Sequence, residues 1–151
     1  MKRVWGALGL VLALTVFMPR VSSAQSTQDG RERRSNSSLG QNYPNPFNPE
    51  THIPFSVGDA PACTADTKQY RVTVKVYTVI ATYVATPILQ SAANGMAGGQ
   101  PLDKLSLPCG EYVAYWDGKI QATGREAASG VYMYRLEVDG VPSVKKMVVV
   151  K

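Results

Sequence analysis

Every convincing periodic segment after Leu39 repeats with period two. In YRVTVKVY, Tyr70, Val72, Val74 and Val76 alternate with Arg71, Thr73 and Lys75, and in VYMYRLEV, Tyr132, Tyr134, Leu136 and Val138 share one side. Successive side chains of a strand point to opposite faces, so this alternation predicts strands with one apolar and one wet face. HIPFSV groups Ile53, Phe55 and Val57, and Pro54, which has no amide donor, predicts a sheet edge for that strand. EYVAYWDG aligns Tyr112, Ala114 and Trp116 and stops at the turn residues Asp117 and Gly118; TYVATPI is a weaker strand, and SVKKMVVVK runs to the last residue. Asp139-Gly140 predicts a hairpin connection.

No segment combines helical spacing with caps. The one candidate, Leu89 to Met96, runs into NGMAGG, whose glycines predict a long loop. Six or seven short strands in roughly 110 residues predict an all-β fold, an antiparallel immunoglobulin-like β-sandwich of about seven strands. The cysteine and tryptophan spacing of antibody domains is absent, so the expectation concerns architecture alone.

Residues 1–24 stand apart from that fold. Lys2 and Arg3 precede an apolar run from Val4 to Met18, too short for the roughly 20 residues that span a bilayer. Ser22 and Ala24 then supply the small side chains of a cleavage site between Ala24 and Gln25. The pattern is that of a secretory signal peptide, with an uncleaved anchor as the alternative. Residues 25–38, QSTQDGRERRSNSS, carry no large apolar side chain and are expected to be a disordered linker, leaving 39–151 as the folded domain. Asn36-Ser37-Ser38 fits the glycosylation tripeptide, a pattern too common to carry a function.

Without residues 1–24 the formal charge falls from +5 to +2, and from Leu39 onward ten Lys and Arg face nine Asp and Glu. The charge gives no case for nucleic-acid binding. Cys63 and Cys109 remain. In an exported chain an even count favours a disulfide, with two buried free thiols as the alternative; the spacing excludes a CxxC redox or zinc arrangement.

Chemistry requires converging groups, and the chain offers few. His52 is the single histidine, without a partner at ligand spacing, and is expected to be a polar strand residue. Asp117 and Asp139 each precede glycine, which is what turns ask for. Tyr112, Tyr115, Trp116, Tyr132 and Tyr134 form a sugar-stacking platform or, as the alternation favours, pack in the core with hydroxyls at the rim. Lys145 and Lys146 are a recognition patch or charges that guard a terminal edge strand. No catalytic residue, metal site or cofactor is assigned.

Residues 41–49, QNYPNPFNP, are too rich in proline for a helix or a central strand. They are expected to form an extended strap at the domain boundary, anchored by Tyr43 and Phe47.

Three stretches in order, LGQNYPNPFNPETHIPFSV, YWDGKIQATGREAASGVYMYRLEV and KKMVVVK, resemble the C-terminal sorting domain of the type IX (Por) secretion system, which is related to the immunoglobulin-like domain of the flagellar hook-capping family. The resemblance covers Leu39 to Lys151 and implies a non-catalytic address. A protein bearing it is exported into the periplasm of a Gram-negative bacterium, recognised in folded form by outer-membrane secretion machinery, and released or held at the cell surface. The family's sorting hairpin maps onto Gly130, Val131, Tyr132, Tyr134 and Leu136, then Lys146, Met147, Val148 and Lys151. Its opening motif maps onto Asn45, Pro46 and Phe47, and its central turn onto Trp116, Asp117 and Gly118. Where the family carries a YDVLGR-like turn this chain has YTVIATYV, and only residues 25–38 stand where a cargo is usual. A stand-alone adhesive immunoglobulin-like module binding a protein or a glycan is the alternative, and no acid, base or metal grouping favours an enzyme.

Overall fold

A computed structural model of the chain describes residues 37–65, 67–90 and 95–151. The expected signal peptide, its Ala24–Gln25 cleavage site and residues 25–36 of the linker lie outside the described residues. Among those described there are nine strands and no helix: β1 (Ser37–Leu39), β2 (Thr51–Val57), β3 (Gln69–Thr78), β4 (Tyr83–Ala85), β5 (Ile88–Leu89), β6 (Leu105–Pro108), β7 (Gly110–Trp116), β8 (Gly130–Val138) and β9 (Val141–Val149). No helix long and apolar enough to cross a membrane is present among them.

The strands form two antiparallel sheets. The first has the order β1-β2-β7-β5; the second has the order β4-β3-β8-β9, with β6 also paired to β3. The alternating residues pack as their period demands. Ile53, Phe55 and Val57 of β2 and Ala114 and Trp116 of β7 share one core cluster with Val72, Val74 and Val76 of β3, Tyr134, Leu136 and Val138 of β8, and Met147 and Val149 of β9. Fully burying a side chain of this size contributes about 1.5–3 kcal/mol, and a one-residue slip would turn each such row outward.

Nine strands replace the expected seven or so, because β1, β5 and β6 have two to four residues each and are pinned by pairing across the fold. Ser37 and Ser38, assigned to the linker, pair with Val57 and Ser56 and belong to β1. Leu89, expected to open a long loop, is fully buried in β5.

The strand around Pro54 is not an edge strand. Its inner side pairs with β7 over its whole length, and its outer side is covered by β1 at residues 55–57, by Gly40, whose amide donates to the Pro54 carbonyl (2.8 Å), and by Tyr43, which bridges His52. Pro54 is tolerated because its missing donor faces the outer side, where Gly40 needs only the carbonyl.

Two turns have the geometry their residues favour. Asp139 and Gly140 have φ of 49° and 82°, the positive pair of a type I′ hairpin, and Asp139 Oδ1 accepts the Arg71 amide at 2.9 Å. Between β3 and β4 the turn forms without a YDVLGR-like sequence. Thr78 supplies the chemistry, its amide donating to the Thr82 carbonyl (2.9 Å) and its Oγ1 accepting the Thr82 amide (3.1 Å), while Ala81 takes a φ of 63°. Val79 and Ile80 are left on the tip, with Ile80 82% exposed.

Cys63 and Cys109 are disulfide-bonded, with Cα atoms 5.4 Å apart. The bridge ties the loop after β2 to the junction of β6 and β7. In that loop the Thr64 hydroxyl and amide both donate to the Asp59 carboxylate, which holds it below its ordinary pKa.

Candidate recognition edge

The candidate site is the outer edge of β9 together with the strap, residues 40–50, that runs into it. In the β8–β9 hairpin Val138 pairs with Val141 across the two-residue turn, so the odd-numbered residues of β9 direct their amides and carbonyls to β8 and the even-numbered ones direct theirs outward. That outer edge would be a row of unpaired donors and acceptors. The strap occupies its last third. The Phe47 amide donates to the Val148 carbonyl (3.0 Å), the Val150 amide donates to the Phe47 carbonyl (3.0 Å), and Asn45 Oδ1 accepts the Val148 amide (2.9 Å). Phe47 runs parallel to Val149. Gln41 Nε2 adds a bond to the Lys146 carbonyl (3.1 Å).

Upstream of these contacts, among the described residues, the outward amides of Val144 and Lys146 and the outward carbonyls of Pro142 and Val144 have no backbone partner. Pro142 offers no donor there, and Lys145 and Lys146 are exposed, features that discourage indiscriminate strand pairing.

The strap is held by polar groups as well as by its aromatic. Phe47 is 1% exposed, with its ring 5.5 Å from that of Trp116, edge to face. Tyr43, expected as the second anchor, is instead half exposed, with its ring against His52. Asn42 takes that place and is 2% exposed. Its side-chain amide donates to the Pro44 carbonyl (3.1 Å) and to Thr51 Oγ1 (3.0 Å), and its backbone amide donates to the Tyr134 hydroxyl (3.1 Å). A proline-rich segment carries carbonyls with few amides to match them, so a buried side-chain donor is worth more there than another ring. Nor is the strap extended throughout: it bends at residues 44–46, between its bridge to β2 and its bridge to β9.

The positions expected from the sequence resemblance to form a sorting hairpin divide by burial. Tyr134, Leu136 and Met147 are core residues, fully enclosed. Burial pushes the Tyr134 phenol above its ordinary value, opposed by the hydrogen bond from Asn42; its hydroxyl donates to the Gly40 carbonyl at 2.8 Å. Tyr132 is half buried against Trp116 and donates to the Ala128 carbonyl (3.0 Å). Gly130, Val131 and Lys146 are exposed, and Val148 is half buried. Lys146 forms no ion pair among the described residues, whereas Lys151 binds Glu126 (2.7 Å) and thereby lowers the pKa of that carboxyl. The platform aromatics Tyr112, Trp116 and Tyr134 are buried, with their polar atoms on backbone carbonyls.

Around Trp116, Asp117 and Gly118 the chain turns beside the strap. Asp117 Oδ1 accepts the Lys119 amide (3.0 Å), and Trp116 Nε1 donates to the Lys119 carbonyl (3.0 Å). Gly118 has a φ of 74°, and a Cβ at this position would overlap the Pro49 carbonyl of the strap. Glycine is therefore required twice over, for conformation and for close approach.

His52 lies between the Tyr43 and Tyr115 rings, at 5.4 and 5.5 Å. Tyr115 donates to Glu50 Oε2 (2.6 Å), and that bond pushes its phenol up to about 12. A polar groove of about 750 Å³ crosses the outer face of β3 and β8, and two pairs of its charges are matched within it, Lys75 with Asp103 (3.6 Å) and Arg135 with Glu137 (2.7 Å).

Comparison with family models, with curated proteins and with solved structures returned no match to this chain. The three stretches quoted from the sequence lie together in the fold. The geometry joins all three: Phe47 of the first packs on Trp116 of the second and hydrogen-bonds Val148 and Val150 of the third, while Pro49 abuts Gly118.

Proposed function

We propose that this chain is a non-catalytic sorting domain of the type IX secretion kind, which directs export across the outer membrane of a Gram-negative bacterium to the cell surface or medium. The observation that carries the reading is the convergence of its three signature stretches, separated by up to a hundred residues, into one structural unit around the terminal strand. A shared packing unit gives such spacing a physical reason; three unrelated coincidences would not. The strand order β1-β2-β7-β5 over β4-β3-β8-β9, with the strap passing from one sheet to the other, supports an immunoglobulin-like assignment within the two-sheet architecture. The partner is outer-membrane secretion machinery, which reads the open stretch of β9 by strand addition and the free Lys145 and Lys146 by charge.

The test is a reporter fused between the leader and residues 37–151, expressed in a host that has the secretion system. The fusion is expected outside the cell, and Lys145→Glu with Lys146→Glu is expected to hold it in the periplasm while leaving the fold intact. Truncation after Lys145 is a poorer probe, because it also removes Met147 and Val149 from the core. Retention of the unaltered fusion in the periplasm would overturn the sorting role and favour an adhesive module.

A further inference from the structure

From Tyr43 to Glu50 the strap buries one side chain only, that of Phe47; its neighbours on both sides are exposed. The segment therefore enters the fold as a single plug, its ring on Trp116 and its backbone on the edge of β9. Upstream, Tyr43 is held separately by two hydrogen bonds to His52 (2.9 Å each), and downstream Thr51 begins β2. Within residues 44–50 only Asn45 and Phe47 bond β9, while Pro44 and Glu50 at the two ends are fastened to Asn42 and Thr51 and to Tyr115.

We infer that the notch between Trp116 and the 148–150 edge of β9 is a peptide-binding groove, filled in cis by the chain's own strap. The strap specifies what the groove fits. The ligand is a polypeptide segment that pairs in parallel with β9 at one residue and bends on either side of it, with an aromatic side chain at the Phe47 position and an acceptor two residues earlier for the Val148 amide. A partner that brings such a segment displaces the strap and gains an edge continuous with the open stretch at residues 142–146. The groove deepens the sorting reading by naming what the partner brings; its existence does not depend on export, since the purified chain tests it.

The probe is the synthetic peptide QNYPNPFNPE, residues 41–50, added to the chain carrying Phe47→Ala. Trp116 is the only tryptophan beyond residue 5, so its emission reports occupancy of the notch. In the Phe47→Ala chain the Val148 and Val150 amides should exchange with solvent roughly a hundredfold faster or more than in the parent. The peptide should shift the Trp116 emission at sub-millimolar concentration and restore protection, and the same peptide with Phe47→Ala should bind at least tenfold more weakly. The parent chain, its groove filled at the millimolar or higher effective concentration of a tethered segment, should respond little. A folded Phe47→Ala chain that ignores the peptide at millimolar concentration, or that binds both peptides alike, overturns the inference. If Phe47→Ala fails to fold, Asn45→Ala, which removes only the side-chain acceptor for Val148 and leaves Phe47 in the groove, should raise exchange at that amide about fivefold, and peptide should shift its Trp116 emission at a lower concentration than in the parent. Unchanged exchange in that variant would equally overturn it.

Discussion

Replacing Tyr134 with Phe removes one oxygen atom and leaves the buried ring in place, so it tests whether this sorting-motif position acts through the fold. The hydroxyl serves two groups of the strap: it donates to the Gly40 carbonyl at 2.8 Å and accepts the Asn42 amide at 3.1 Å. Gly40 is only partly buried, and water can take over its carbonyl; Asn42 is 2% exposed, and its amide would be left without an acceptor. An orphaned buried donor costs about 1–3 kcal/mol, and the exposed acceptor adds less than about 1 kcal/mol, so the expected loss is about 2 kcal/mol. With a urea slope of roughly 1.5 kcal/mol per molar, the unfolding midpoint should fall by a little over about 1 M at unchanged slope. Tyr132→Phe is the internal control, because its hydroxyl meets the Ala128 carbonyl where solvent can replace it, and should cost under about 1 kcal/mol. Equal midpoints for the two variants, or a Tyr134→Phe midpoint within error of the parent, would refute the claim that the strap is fastened through this hydroxyl.

Two further outcomes follow from the same structure. Reducing the Cys63–Cys109 bridge reopens a loop spanning 46 residues, which on chain-entropy grounds removes at most about 4 kcal/mol; urea unfolding with and without reductant reads the loss, and coincident curves would contradict a stabilising role. The Tyr115 phenol, pushed up to about 12 by its bond to Glu50, holds its proton more tightly folded than unfolded, where it titrates near about 10. Its stabilisation is therefore complete below pH of about 10 and lost as pH rises through about 12. Glu50→Gln should bring the phenol's titration down, read by tyrosinate absorbance, and an unmoved curve would show that Glu50 is not the cause.

Of the five long strands, β2, β3, β7 and β8 were legible because each carries its own alternation, and the faces assigned to Val72, Val74, Ile53, Phe55, Tyr134 and Leu136 are the faces that pack. β1, β5 and β6 were not legible. Ser37–Leu39 has one apolar residue, Ile88–Leu89 is too short for any period, and both owe their conformation to partners fifteen or more residues away. The loop residue Leu102 was equally silent, yet it is fully buried and accepts the Val74 amide with its carbonyl at 2.8 Å. At the candidate site the motifs could be read from sequence but not their meeting point. The sequence singles out Tyr43 because hydrophobicity is easily read, whereas the polar anchor Asn42 becomes visible only once the unmatched carbonyl of Pro44 and the Tyr134 hydroxyl are in place.

The parallel pairing of Phe47 with Val149 also fixes how the domain would answer to force. Strap and terminal strand point the same way, so tension between a segment attached ahead of residue 37 and an anchor at Lys151 drags them past each other in opposite directions. β1 and the Tyr43 bridge to His52 take that load first; once they yield, the two hydrogen bonds of Phe47 and the cap of Asn45 on Val148 are loaded together, in shear, with the Phe47 ring on Trp116. A hairpin pulled open from one end yields bond by bond; this arrangement yields as a unit or not at all. Direction of pairing, and not only the number of bonds, would thus set the resistance of the strap to a pull on the last strand.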